Sequence, residues 1–195
     1  MSFRDKFSEF SHLGTDWQRV LTRGVLMLVI GVTLIALTIF KPNVMLLHTR
    51  DTSWLPVCGF VLLAVGLLEC FDALIAKELK DFFLNLQNGI LDVVVAVLLV
   101  LSSGDDPVRL SLLIAAFLMI KGIFRIIISY AINSANVTAT RIGAGVSILF
   151  GLFIWMQWPS SAAWFLAFCL SSEIALRGWA TLMLALWLQA QQKPE

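Results

Sequence analysis

The run from Arg109 to Asn133, RLSLLIAAFLMIKGIFRIIISYAIN, is long enough to cross a bilayer as a helix, yet carries Lys121 and Arg125 in its middle. About 20 apolar residues span the ~30 Å hydrocarbon core. No water satisfies backbone groups there, so an apolar run of this kind must be helical. A charge at that depth is expensive and marks a functional site by default, with a partner to be sought elsewhere in the chain.

Five further apolar runs accompany it. The spans read from about Val20 to Phe40, Leu55 to Ala76, Gln87 to Leu101, Arg109 to Asn133, Arg141 to Trp158 and Ala162 to Gln189. Lys77, Glu78, Lys80 and Asp81 form a charged turn, Gly104-Asp105-Asp106-Pro107 a tight one, and Asn133 to Thr140 a polar one. Lys41-Pro42 and Pro159 close the first and fifth spans, and Pro56 sits at a helix start, where it is tolerated. Apolar residues make up 59% and charged residues 14% of the chain, against about 45–50% and ~25% in a soluble domain. The expected fold class is therefore an all-α membrane protein with six transmembrane helices.

Ahead of them, Phe3, Phe7, Phe10, Leu13 and Trp17 fall on one helical face, with Arg4, Asp5, Lys6 and Glu9 elsewhere. This predicts an amphipathic interfacial helix over 1–18. Gly14 ends it, and Thr15-x-x-Gln18 reads as a capping box for the next helix. The transmembrane domain is 19–190, with hairpins over about 20–76, 87–132 and 141–189, and 191–195 is a short tail. Asp5, Glu9 and Asp16, with no small-residue cleavage site after the first apolar run, argue against a cleaved signal peptide.

Lys and Arg set the orientation. With the N-terminus inside, that side holds Arg4, Lys6, Arg19, Arg23, Lys77, Lys80, Arg141 and Lys193, and the other only Lys41, Arg50 and Arg109. Both termini are expected in the cytoplasm. Trp17 and Trp187 then mark the inner interface, and Trp54, Trp155, Trp158 and Trp164 the outer one.

The hairpins repeat. Gly24, Gly31, Thr38 and Pro42 match Gly89, Ala96, Ser103 and Pro107 in spacing. The third unit keeps its closing Pro159 but places small residues at Gly143, Ser147 and Gly151. Counted from the closing prolines, Arg125 matches Arg177 and Lys121 matches Glu173. Repeated hairpins build many membrane bundles, and small residues along one face let helices approach closely. The packing candidates are Gly24, Gly31, Gly89, Gly143, Ser147 and Gly151, and the Gly143, Ser147, Gly151 series is the best candidate for a tight crossing, within one chain or between two.

Seven ionisable residues lie inside the spans: Glu69, Asp72, Asp92, Lys121, Arg125, Glu173 and Arg177. The topology places them in one charged layer toward the inner half of the bilayer. Glu69 and Asp72 share a helix face, as do Lys121 with Arg125 and Glu173 with Arg177. The acids of span two are expected to neutralise the bases of span four, and Glu173 to pair with Arg177 within span six. The leading reading is structural glue, a nearly balanced ion-pair network that fixes helix order. The sharper readings are a proton or ion relay, or an inner-leaflet lipid headgroup site.

Other chemistry finds little support. Cys58, Cys70 and Cys169 sit in apolar runs, as small buried hydrophobes do. His12 and His48 are the only histidines, too few for a metal site of their own, and His48 reads as a solvated loop residue beside Arg50 and Asp51. The sequon Asn136-Val137-Thr138 falls on the expected cytoplasmic side. There is no nucleophile elbow, phosphate-binding loop, dinucleotide fingerprint or zincin motif, so no enzyme, cofactor or metal is expected. A net charge of +1 gives no footing for nucleic acid. The expected partners are the lipid bilayer and other membrane proteins or a second copy of the chain.

RGVLMLVIGVTLIAL closing at Pro42, PVCGFVLLAVGLLE, NGILDVVVAVLLVL closing at Pro107, LIAAFLMIKGIFRIIISY and RIGAGVSILFGLFIWMQWP together resemble the HdeD-type acid-resistance membrane proteins of bacteria. The resemblance runs from about Arg23 to Leu188, and Gly122-Ile123-Phe124-Arg125 followed by Tyr130 is its most characteristic piece. It implies a six-helix inner-membrane protein linked to acid or stress tolerance, without catalytic residues. The alternatives are an accessory or assembly subunit of a larger membrane complex, and a proton, ion or small-solute pathway through the charged layer.

Overall fold

The computed structural model describes residues 17–40, 54–75, 79–101, 107–131, 137–157 and 163–192. These form six helices and no strand: α1 Trp17–Phe40, α2 Leu55–Ile75, α3 Leu79–Leu101, α4 Pro107–Ala131, α5 Val137–Trp155 and α6 Ala163–Gln192. The interfacial helix expected over 1–18, the His48 loop and the 191–195 tail lie largely or wholly outside the described residues.

Five helices are long and apolar enough to cross a membrane: Val20–Phe40, Leu55–Leu74, Val108–Tyr130, Thr138–Trp155 and Ala163–Trp187. The chain is a multi-pass membrane protein. The third expected span differs. Its apolar part is Asn85–Leu101, about 25 Å at ~1.5 Å per residue. The helix itself begins at Leu79, so Lys80 and Asp81 belong to its polar first turns rather than to a loop. Pro107 likewise opens α4 instead of closing a turn, as proline at a first helical position does. Helix α5 starts at Val137, ahead of the expected Arg141, and stops at Trp155, short of the expected Trp158. Gln157, in left-handed backbone at φ 55°, turns the chain away there.

Several hydroxyls inside the apolar helices bond their own backbone, which satisfies them without water. Thr38, Ser171 and Thr181 each donate to the carbonyl one turn back, at 2.7, 2.7 and 2.9 Å. Val29, Phe40, Leu67, Phe71, Leu101 and Ile127 are exposed and apolar, the surface that lipid covers. Leu62, Ile114, Leu118, Leu166 and Leu170 are buried in the core with Cys58, whose Sγ lies 3.3 Å from Ser171 Oγ across α2 and α6.

The closest helix pairs are α1 with α6, α2 with α3, and α4 with α5. These are not the hairpins read from the repeat. Each joins the second helix of one unit to the first helix of the next, and the last unit closes onto the first. Glycines set these crossings. A Cβ on Gly31 would stand 2.5 Å from Ala175 N, and one on Gly24 2.8 Å from Leu182 N, so α1 lies directly on the α6 backbone. On α2, Gly66 meets Asp92 and Val93 of α3 at 2.9 Å, and Gly89 of α3 meets Cys70. On α4, Gly122 meets Ile148 and Ala144 of α5 at 2.6 and 2.9 Å.

Gly66, Gly122 and Gly178 are evenly spaced in sequence and do the same work. Gly178 meets Met27 and Leu28, which the Gly24–Gly89 register carries onto Asp92 and Val93. Anchored on these glycines, Lys121 matches Arg177, not Glu173. The proline-anchored match of Arg125 with Arg177 is therefore off by one helical turn. Helix contacts fix the register, whereas the distance from proline to first contact varies between units.

The Gly143, Ser147, Gly151 series is not one seam. Gly151 alone makes a tight crossing, 2.5 Å from Met119 and 3.0 Å from Ala115 O on α4. Gly143 has nothing closer than 3.8 Å to its virtual Cβ, and Ser147 is buried with its hydroxyl engaged by an acid.

Candidate functional site

All seven intramembrane ionisable residues come together, and they recruit an eighth. Arg23 of α1, read from sequence as an interfacial cation, turns inward and bonds Asp72 and Glu69 of α2, the latter at 3.3 Å. Glu69 also accepts Arg177 of α6, and the other Nη of Arg177 bonds Asp92 of α3. Asp92 accepts Lys121 of α4 at 2.5 Å. Lys121 lies 3.8 Å from Glu173 of α6, and Glu173 pairs with Arg125 of α4 at 2.6 Å. Ser147 of α5 donates to the second oxygen of Glu173.

The order is Asp72, Arg23, Glu69, Arg177, Asp92, Lys121, Glu173, Arg125. Acid and base alternate without a break, four of each, so the ladder is neutral as a whole. With Ser147 it touches every helix. Position explains the alternation. Lys121 and Arg177 occupy matching sites on α4 and α6, and both address Asp92, which stands where the first unit has Met27 and the third has Ala144. Only the middle unit places an acid there.

The partners differ from those expected. Helix α2 packs on α3 and α6, and α4 on α3, α5 and α6. The acids of span two therefore take cations from α1 and α6, and the bases of span four take acids from α3 and α6. Glu173 is paired from α4 rather than by Arg177 on its own helix. Arg23 was legible only as a charge one turn inside a span.

Burial is deep at the centre. Asp92, Lys121 and Glu173 are at most 2% exposed. Lys121 Nζ lies over the Phe117 ring, 4.9 Å from its centre, a cation–π contact beside the ion pairs. Asp72, at the outer end, has a side chain 43% exposed. Two buried acid oxygens have no hydrogen-bond partner among the described residues, Glu69 Oε2 and Glu173 Oε1, the second of them in the ion pair with Arg125.

The remaining charge contacts are local. Arg141 Nε donates to Ser129 Oγ at 3.3 Å and its guanidinium lies 4.3 Å from the Tyr130 ring centre, which fixes the α4–α5 end. Among the described residues no cluster of three His, Cys, Asp or Glu is arranged to hold a metal ion. A cavity of about 80 Å³ opens beside the ladder, between α3, α4, α5 and α6, with Arg125 and Arg177 in its wall.

Comparison with protein-family models, with curated proteins and with solved structures finds no match.

Proposed function

We propose that the chain is a non-enzymatic membrane protein of the bacterial inner membrane, similar to the HdeD type, which serves acid or stress tolerance as a rigid resident of the bilayer. Both termini face the cytoplasm in this reading. The observation that carries it is the neutral ladder. Every cation in it has an acid partner, every acid has a cation, and five helices are tied by ion pairs and the sixth, α5, by the Ser147 hydroxyl on Glu173. A carrier needs a group that can be released and rebound, and transporters commonly break a helix at the binding site. Here the helices run through the charged layer unbroken. An accessory subunit would pack on a larger complex through Phe- and Trp-rich faces; of the small residues it could also have offered, Ser147 is engaged by Glu173 of α6 and Gly151 by α4.

A proton pathway keeps one supporting observation: among the described residues the buried Glu69 Oε2, like Glu173 Oε1, has no hydrogen-bond partner and so a free position for a proton. One experiment separates the two. Cells lacking the chain are exposed to low external pH and complemented with wild type or Glu69→Gln, and both proteins are reconstituted in liposomes for proton flux. The structural reading expects no flux from either, and it expects Glu69→Gln, which leaves Arg23 and Arg177 with a charge in excess, to lose stability and with it survival. Flux from wild type that Glu69→Gln abolishes while the variant stays folded in the liposomes overturns it in favour of the pathway.

A further inference from the structure

We propose that the cavity beside the ladder binds a phosphate-type anion. It is walled by Arg125 and Arg177 with Asn88, Thr140 and Thr181, and among the described residues no carboxylate lines it. The acids of the ladder hold the two arginines from behind. Glu173 binds Nη2 of Arg125, and Asp92 and Glu69 bind the two Nη atoms of Arg177. Both guanidinium groups are thus fixed before any ligand arrives. Only Nη2 of Arg125 is ion-paired, so Nη1 is left to donate toward the Gly143 side of the cavity. Arginine is the residue suited to phosphate oxygens, which it meets through several N–H groups in a fixed fork.

The cavity fits such a group in size, polarity and depth. A water needs roughly 10–15 Å³ on this measure, and about 80 Å³ is present. Thr140 stands in the first turn of α5, so the partial positive charge of that helix start adds to the arginines. Thr181 lies about 9 Å before Trp187 along α6 at ~1.5 Å per residue, which sets the cavity just below the interface where phospholipid headgroups begin. Basic pockets between transmembrane helices at this depth hold anionic headgroups. The chemistry is that of a phosphate monoester or diester, supplied by a phospholipid or by free phosphate. It does not depend on whether the ladder conducts.

Gly143, in the cavity wall, provides a test. A Cβ there would meet only Arg125 Nη1 at 3.8 Å and Leu176 Cβ at 4.0 Å, ordinary contacts, so the backbone has room for a side chain and Gly143→Leu adds apolar volume at the cavity. Wild type, Gly143→Leu and Arg125→Gln are purified in mild detergent and checked for equal thermal stability of wild type and Gly143→Leu. Retained phospholipid is measured by native mass spectrometry, and inorganic phosphate binding to delipidated protein by calorimetry. A headgroup site gives tightly retained phospholipid on wild type. A free-phosphate site gives saturable phosphate binding with no retained lipid. In either case Gly143→Leu and Arg125→Gln weaken the binding by about tenfold or more. Neither ligand on wild type, or binding that both variants leave unchanged, overturns the proposal.

Discussion

At the level of single residues, the ladder is sensitive wherever one group serves two partners. Arg177 bridges Glu69 and Asp92 with separate Nη atoms and so joins α2 to α3. A lysine offers a single nitrogen and cannot meet the two acids with separate atoms, as the two Nη of arginine do. Arg177→Lys is expected to destabilise the protein by about 1.5–3 kcal/mol, the worth of one hydrogen bond to a charged group, in reversible unfolding from detergent. Ser147 is smaller but equally committed, because its hydroxyl serves a fully buried acid. Ser147→Ala strands one oxygen of Glu173 and is expected to cost about 1–3 kcal/mol. Ser111→Ala, which removes only a local bond to Val108 O, should cost less than half as much in the same assay. The seven intramembrane charges were legible as residues because charge in hydrocarbon is rare. Their partners were not, since pairing depends on which helices are neighbours. Arg23 escaped because the positive-inside rule already gave it a role at the helix end.

At the level of helices, glycine decides who packs on whom. The Gly24–Gly89 and Gly31–Ala96 matches were visible in the sequence and do lie at crossings. What the spacing left open was the partner. Glycine allows close approach without naming the surface approached, so α1 and α6, the most distant helices in sequence, form a principal pair. The Gly143, Ser147, Gly151 series misled for the same reason: spacing at one turn puts residues on one face, but that face meets a cavity, an acid and a helix in succession. Two substitutions of the same kind separate crowded from open positions. Gly31→Leu drives a side chain into the α6 backbone and is expected to destabilise by about 1–3 kcal/mol. Gly145 has nothing within 4 Å, so Gly145→Leu should be neutral or stabilising by up to about 1 kcal/mol through helix propensity. Thermal unfolding of the two variants in one detergent checks both.

For the molecule as a whole, hydropathy gave the class and charge gives the integrity. Six helices were legible from apolar length, although α3 is apolar over only Asn85–Leu101. The helix with the shortest apolar run carries Asp92, the acid at the centre of the ladder. Closure of α6 onto α1 could not be read along the chain, because it is a contact between its two ends. The central claim is that the ladder is a single neutral unit on which the bundle depends. Asp92→Asn removes one acid and leaves Lys121 and Arg177 with an uncompensated buried charge, and should cost about 3–5 kcal/mol. Adding Lys121→Met removes a further ion pair but restores neutrality, with Arg177 still on Glu69 and Glu173 still on Arg125. The decisive measurement is the unfolding free energy of Asp92→Asn beside that of Asp92→Asn with Lys121→Met. If the ladder acts as one neutral unit, the double variant is the more stable of the two. A double variant that is less stable than Asp92→Asn alone, by the full cost of Lys121→Met, would mean that the pairs act separately and that neutrality is not what holds the bundle together.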